Sequence, residues 1–105
     1  MTLAIVDGTF TAVDQESDIL VIHDGFKRAG GDANLFNLVV APVSGDDIDG
    51  TVELQRSFDK GSTWHTTDTL TEKYGGRGLE PETNVWLKLV RTEHTSDVRY
   101  RLSAR

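Results

Sequence analysis

The stretch Ser57-Phe58-Asp59-Lys60-Gly61-Ser62-Thr63-Trp64 indicates its local structure more clearly than any other part of this chain. It follows residues 51–56, whose alternating character is typical of a β-strand. Gly61 can take the positive φ that a tight turn demands. Asp59 can accept hydrogen bonds from nearby backbone N–H groups, and Trp64 offers a large apolar ring. The stretch therefore predicts a β-hairpin whose structural residues are Ser57, Asp59, Gly61, Thr63 and Trp64.

Short β-rich runs continue on both sides of this hairpin, separated by turn residues at roughly 8 to 12 residue intervals. No long stretch shows a helical period. The pattern predicts an all-β, single-domain antiparallel β-sandwich or jelly-roll-like fold over residues 1–105. Its strands, about eight in number, are expected at Leu3 to Val6, Thr9 to Val13, Asp18 to His23, Leu35 to Ala41, Thr51 to Phe58, Thr63 to Leu70, Val85 to Thr92 and Val98 to Ser103.

The two C-terminal runs show the clearest alternation. Apolar positions in these runs are separated by basic ones, which predicts one buried and one solvated face for each strand. The residues concerned are Val85, Leu87 and Leu89 with Lys88, and Val98, Tyr100 and Leu102 with Arg99 and Arg101. Pro42 and Pro81 are expected in connections, where a missing N–H breaks no strand pairing.

Composition excludes several classes of protein. The chain has 105 residues, 37% of them hydrophobic, and contains no Cys, which excludes a disulfide framework and a cysteine-based metal site. No apolar run approaches the roughly 18 residues of a membrane span. The first residues lack the basic region of a signal peptide, so synthesis in a cytoplasm is expected. Neither a membrane partner nor a cofactor is predicted.

Charge is unevenly distributed along the chain. The formal net charge is −6, which disfavours a general nucleic-acid binder. Residues 1–53 carry two bases and ten acids, a net charge of −8, whereas residues 54–105 carry nine bases and seven acids, a net charge of +2. This asymmetry is compatible with ordinary solvated faces, or with a two-signed surface suited to subunit contacts.

Two glycine-rich segments, 25–32 and 73–78, are predicted to be exposed loops. Each contains an aromatic residue and at least one base, the kinds of side chain that anchor protein contacts. The terminal strand adds two arginines on its predicted solvated face. The candidate partner contacts are therefore Phe26, Arg28, Tyr74, Arg77, Arg99 and Arg101.

No pattern in the sequence predicts catalysis. There is no Gly-x-Ser-x-Gly turn, and the three histidines, His23, His65 and His94, fall on separate predicted elements. The acidic run Asp46 to Asp49 lacks the ligand spacing of an EF-hand loop and is predicted to be a solvated turn. Whether that turn binds an ion is left open. Neither an enzyme nor a dedicated metal site is expected.

Two resemblances bear on function. Residues 57–64 resemble the Asp-box, the repeated hairpin motif of sialidase propellers. Those propellers carry several copies over several hundred residues, whereas this chain has one copy, and no sialidase catalytic residue can be assigned to a position in it. The sialidase resemblance therefore implies a hairpin and no catalytic residues.

A second resemblance covers most of the chain. Its segments are Gly8 to Val13, Phe36 to Leu38, Gly50 to Asp59, Thr63-Trp64 and Tyr100 to Ser103, with Glu80-Pro81-Glu82 and Val85 to Leu87 before the terminal strand. Their order resembles small β-rich structural proteins of tailed bacteriophages, in which the turn usually reads SFDGGATW, with differences here at Lys60 and Ser62. These proteins are similar in size and character to capsid decoration, or cement, proteins.

The phage resemblance implies a decoration protein on the virion capsid surface. Its implied partners are the major capsid protein and further copies of itself, as a homotrimer or homodimer. A tail, neck or fibre-associated domain would account for the same segments. A carbohydrate-binding β-sandwich, with Trp64, Trp86 or Tyr74 as a stacking platform, is a third hypothesis.

Overall fold

The chain forms two packed four-stranded sheets. The computed structural model describes residues 5–22, 34–80 and 85–103. The strands are β1 (Ile5–Phe10), β2 (Leu20–Ile22), β3 (Asn34–Pro42), β4 (Gly50–Ser57), β5 (His65–Leu70), β6 (Tyr74–Glu80), β7 (Val85–His94) and β8 (Val98–Ser103). No helix that could span a membrane is present in these ranges.

Strand order identifies the architecture. The first sheet has the order β1-β8-β3-β6 and the second has the order β2-β7-β4-β5, with neighbouring strands antiparallel. This is the strand order of an eight-stranded jelly roll. The predicted all-β sandwich is therefore confirmed, and the topology selects the jelly-roll form of it.

The core lies between the inner faces of the two sheets. Alternate residues of β3, β7 and β8 point inward, so that Leu38, Leu89 and Leu102 are almost completely buried. Each such side chain stabilises the fold by about 2 kcal/mol relative to an exposed one. The remaining buried hydrophobic residues are Val6, Phe10, Leu20, Ile22, Phe36, Val40, Ile48, Val52, Leu54, Val85, Leu87 and Val98.

Two predicted strands near the N-terminus are in fact one. β1 runs from Ile5 to Phe10 without interruption, and Gly8 pairs with Tyr100 of β8. A β-carbon at Gly8 would lie 2.6 Å from the Tyr100 hydroxyl oxygen, because that ring covers the glycine and stacks on Phe10 with centroids 4.4 Å apart. The prediction of strand structure as far as Val13 was wrong. The Gln15 Oε1 atom accepts the N–H groups of Thr11 and Ala12 and turns the chain there.

The glycine-rich segment 73–78 was predicted to be a loop, and this was also wrong. Its residues from Tyr74 onward belong to β6, which pairs with β3 along its length. A β-carbon at Gly78 would lie 2.0 Å from the Phe36 ring, so the glycine makes room for that ring. Glycine at this position therefore serves close packing between strands. Pro42, predicted in a connection, is the last residue of β3, and His23 and Pro81 lie outside the described residues.

Strand direction sets which connections share an end of the sandwich. The odd-numbered strands all run towards one end, where the connections 11–19, 43–49, 71–73 and 95–97 begin. The hairpin turn 58–64 lies at the opposite end. The hairpin of the sequence motif and the acidic turn at 46–49 are therefore far apart.

Candidate interaction surface

The motif at 57–64 forms a closed hydrogen-bond network between β4 and β5. The Ser57 hydroxyl donates to Asp59 Oδ1 at 2.7 Å and accepts the Gly61 N–H at 2.8 Å. The carboxylate of Asp59 also accepts the backbone N–H of Thr63 at 2.9 Å and its hydroxyl at 2.6 Å. These donors lower the pKa of Asp59 to about 2, with the Thr63 hydroxyl making the largest contribution. The carboxylate is thus occupied in holding the turn.

Backbone geometry explains the residue types in this turn. Gly61 has φ of 90° and Lys60 has φ of 58°, both in the left-handed region. The phage pattern has glycine where this chain has Lys60, and glycine adopts this conformation at lower cost. A β-carbon at Gly61 would also lie 3.2 Å from the Trp86 ring. A side chain at Gly61 is disfavoured both by φ and by the indole above it.

Both tryptophans pack on the outer face of the second sheet near the turn. Trp64 is half-buried, and the ammonium of Lys88 lies 4.2 Å from the centroid of its ring, a cation–π contact. Glu16 accepts a hydrogen bond from the same ammonium at 2.6 Å. Lys88 is consequently only 8% exposed, so the predicted solvated face of β7 is covered at this position. The hairpin and the segment before β2 together cover this part of the sheet.

Asp59→Asn is expected to lower the midpoint of urea unfolding at pH 7. The pKa of Asp59 lies near 2 in the folded protein, below its ordinary value of 3.8. Its stabilisation is therefore present above pH 3.8 and is lost as the pH falls towards 2. The difference in midpoint between wild type and variant, measured from pH 7 downward, should shrink below pH 4. A difference that does not change with pH would show that the carboxylate charge has no role.

The predicted contacts Tyr74 and Arg77 lie on the edge strand β6 beside a narrow cleft between the sheets. The cleft has a volume of about 100 Å³ and an apolar lining that includes Phe36, Leu54 and Leu70. A shallow groove of about 220 Å³ follows residues 69–74 next to it. Pockets for small ligands usually enclose at least roughly 300 Å³. Neither concavity has the size of an ordinary substrate pocket.

The outer face of the first sheet brings three of the predicted contact residues together. Arg99 and Arg101 alternate outward along β8, and alternation along the edge strand β6 assigns Arg77 to the same face, where its side chain also borders the cleft between the sheets. All three side chains are exposed, and no ion pair joins any of them to another described residue. We call this surface, defined by Arg77, Arg99 and Arg101, the basic face.

Apolar and small residues separate these arginines. Val39 pairs with Arg101 in the strand register and is 41% exposed, and Ile5 on β1 is 47% exposed. Ala41 and Gly75 lie beside Val39 at the centre of the basic face. Asp7 is the acidic residue of β1 on this face, opposite Arg101. Arginine is enriched at protein interfaces, which makes this face a candidate contact surface.

Many acidic residues lie at the end of the sandwich towards which the odd-numbered strands run. Exposed carboxylates lie in the connections that begin after β1, β3 and β5, and in or just before the one after β7, together with the exposed base Lys73. We call this surface the acidic end. It comprises Asp14, Asp46, Asp47, Asp49, Glu72, Glu93 and Asp97. No three His, Asp or Glu side chains of the described residues are grouped closely enough to hold a metal ion.

A buried arginine organises the acidic end from below. Arg91 is completely buried, and its Nη2 donates to the carbonyl oxygens of Ile48, Asp49 and Ser96 at 2.6, 3.2 and 3.1 Å. Its Nε donates to His94 Nδ1 at 3.0 Å. Burial lowers the pKa of Arg91, and the charge of Asp49 opposes this shift. The guanidinium thus joins two loops of the acidic end.

Sequence reasoning missed Arg91, although a signal was present. Val85, Leu87 and Leu89 predict the inward face of β7, and Arg91 continues the same alternation. An arginine at an inward position at the end of a strand indicates a guanidinium that binds loop carbonyls. The contacts predicted at Phe26 and Arg28 lie outside the described residues.

The chain matches no family model, and no curated protein or solved structure is detectably similar to it.

Proposed function

We propose that this chain is a structural protein of a tailed-phage virion, a decoration subunit that binds the outside of the capsid and stabilises it. The observation that carries the proposal is the uneven distribution of exposed charge, with three arginines and Asp7 on the basic face and seven carboxylates with Lys73 at the acidic end. A protein that makes the same contact in many copies uses extended surfaces of this kind. The small cleft volumes also favour a binding protein over an enzyme.

The segments that resemble phage structural proteins belong to the framework of the fold. Gly8 to Phe10 lie in β1, Phe36 to Leu38 in β3, Gly50 to Ser57 in β4 and Tyr100 to Ser103 in β8. The resemblance therefore concerns core strands and the turn that follows β4. Jelly rolls are common among viral capsid proteins, and they also occur among lectins and enzymes. This architecture supports the proposal by analogy.

The carbohydrate-binding alternative is less well supported by the geometry. The Lys88 ammonium occupies one side of Trp64, and Trp86 packs over Gly61. Sugar-stacking platforms need an aromatic ring face that is open to the ligand. Tyr74, which is 41% exposed, is the most accessible of the three rings named for this role.

Co-sedimentation tests the proposal directly. Heads of the encoding phage, assembled without this protein, are mixed with purified protein at near-physiological salt and pelleted. We expect hundreds of copies per head and a higher temperature of head disruption. Absence of the protein from the pellet would refute capsid decoration. Labelling at the tail or neck of intact virions would instead support the tail-associated alternative.

Asp59→Ala provides a control for this experiment. Its carboxylate is engaged within the hairpin, so the variant should unfold more easily. Binding to heads per folded molecule should remain close to that of the wild type, because the substitution leaves the basic face intact. Normal stability with lost binding would show that the hairpin itself is the contact.

A further inference from the structure

We propose that the basic face of one copy binds the acidic end of a second copy, so that this protein assembles head to tail with itself. The surfaces concerned are Arg77, Arg99 and Arg101 on one protomer and the carboxylates around Asp46 and Asp47 on the next. The proposal concerns the protein in solution and does not depend on capsid binding.

The basic face carries three arginines that form no ion pair with a described residue, and Asp7 of β1 is the carboxylate beside Arg101. Arg99 and Arg101 are two residues apart on β8, about 7 Å along the strand. Arg77 is two strands away and level with Ser103, which places it about 12 Å from Arg101 and about 17 Å from Arg99. The separation of Arg99 and Arg101 is within the Debye length of about 8 Å at physiological salt, whereas Arg77 lies beyond that length from both. Arg99 and Arg101 therefore repel one another, Asp7 offsets part of that repulsion, and further carboxylates from a second surface would relieve the rest.

The residue types favour carboxylate recognition. Every base of the basic face is an arginine, although the chain also contains lysines. A guanidinium donates two parallel hydrogen bonds to one carboxylate, which an ammonium cannot do. The apolar centre at Val39 and Ala41 would be removed from water in the same contact. An acidic protein surface therefore fits this face.

The acidic end supplies such a surface in every copy. Asp46 and Asp47 are exposed near the tip of the connection between β3 and β4, and no hydrogen bond or ion pair within the described residues engages their carboxylates. The main chain of this connection is held by Arg91 and by the bond from Val43 N–H to the Asp97 carbonyl at 3.1 Å. The carboxylates are thus presented on an anchored loop, which reduces the entropy lost on binding.

The placement of the two surfaces constrains the assembly. The acidic end faces along the strands, whereas the basic face points across them, so the two surfaces are roughly perpendicular. In a two-fold dimer each protomer presents one and the same patch to its partner, so the basic face and the acidic end would both have to lie within that patch. Contact between unlike, perpendicular surfaces instead turns each copy relative to the last, which gives a ring of three or more copies where the rotation closes and a helical filament where it does not.

Light scattering on a size-exclusion column tests the proposal with the full chain alone. At 50 mM NaCl and high protein concentration we expect a mass about threefold or more above 11.6 kDa, falling to the protomer mass at 500 mM NaCl. The double variants Arg99→Glu with Arg101→Glu, and Asp46→Lys with Asp47→Lys, should each be monomeric. Lys60→Glu, at an exposed residue of the opposite end, is the control and should assemble like the wild type.

Mixing the two double variants distinguishes the proposed contact from loss of folding. The variant with Arg99→Glu and Arg101→Glu keeps its acidic end and makes its basic face acidic. The variant with Asp46→Lys and Asp47→Lys keeps its basic face and makes its acidic end basic. Each should be repelled by its own copies, while an equimolar mixture should recover the high mass. Recovery can occur only if both variants are folded and the two surfaces meet. A wild type that is monomeric at low salt, or two monomeric variants whose mixture stays monomeric, would overturn the proposal.

Discussion

Arg91→Met is expected to lower the free energy of unfolding by about 3 kcal/mol, because it leaves buried carbonyl groups without their donor. The side chain of Met fills a similar volume but cannot donate to Ile48, Asp49 or Ser96. Most of the expected loss in the free energy of unfolding comes from the buried carbonyl groups that would no longer have a hydrogen-bond donor. Urea unfolding at pH 7, followed by circular dichroism, measures the change.

Arg99→Met is the matched control for this substitution. Its side chain is exposed on the basic face, so the same chemical change should alter the free energy of unfolding by less than about 0.5 kcal/mol. The Arg91 variant should also be cut faster by a protease that cleaves before Asp, since Asp46, Asp47 and Asp49 lie on the loop that the guanidinium anchors. Equal stabilities for the two variants would mean that the acidic end does not depend on Arg91.

Gly78→Ala should destabilise the protein by about 2 kcal/mol, through overlap between the new methyl group and the Phe36 ring. A β-carbon at this position would lie 2.0 Å from the ring, which is 6% exposed and packed in the core. Phe36 or the β6 backbone must therefore move. The unfolding free energy from urea titration is again the measurement.

Gly75→Ala separates this packing effect from a general effect of removing glycine. Gly75 is on the same strand, and a β-carbon there would meet no atom within 4 Å. Because alanine is favoured over glycine in a strand, this variant should be as stable as the wild type or more stable by about 0.5 kcal/mol. On a Phe36→Leu background, which removes the outer ring atoms, Gly78→Ala should cause a smaller loss. Equal losses from the two glycine substitutions would contradict the packing account.

The sequence alone indicates some of the structural features behind these predictions and not others. The hairpin at 57–64 was predicted because Asp59 lies within four residues of its partners Ser57 and Thr63, inside one short window. The outward positions of Arg99 and Arg101 followed from two-residue alternation in β8. The all-β class followed in the same way from repeated short runs. Each of these depends on local pattern.

The failures have a common cause. Glycine normally signals a turn, and the density of glycine at 75–78 therefore predicted a loop. In the fold, Phe36 comes from a strand some forty residues earlier and fills the space above Gly78. Tyr100 does the same for Gly8 from the other end of the chain. No local window contains both the glycine and the ring that covers it.

The sequence by itself therefore determined an all-β protein with one closely specified hairpin, since propensity, alternation and short-range hydrogen bonds act between near neighbours. Only the tertiary structure decided the jelly-roll strand order and the position of Arg91 beneath two loops. It also placed Arg77 on the same face as Arg99 and Arg101. Pairing β8 with β3, and β3 with β6, joins segments that are distant in the chain. Long-range register, rather than local preference, creates the charged surfaces on which the proposed assembly depends.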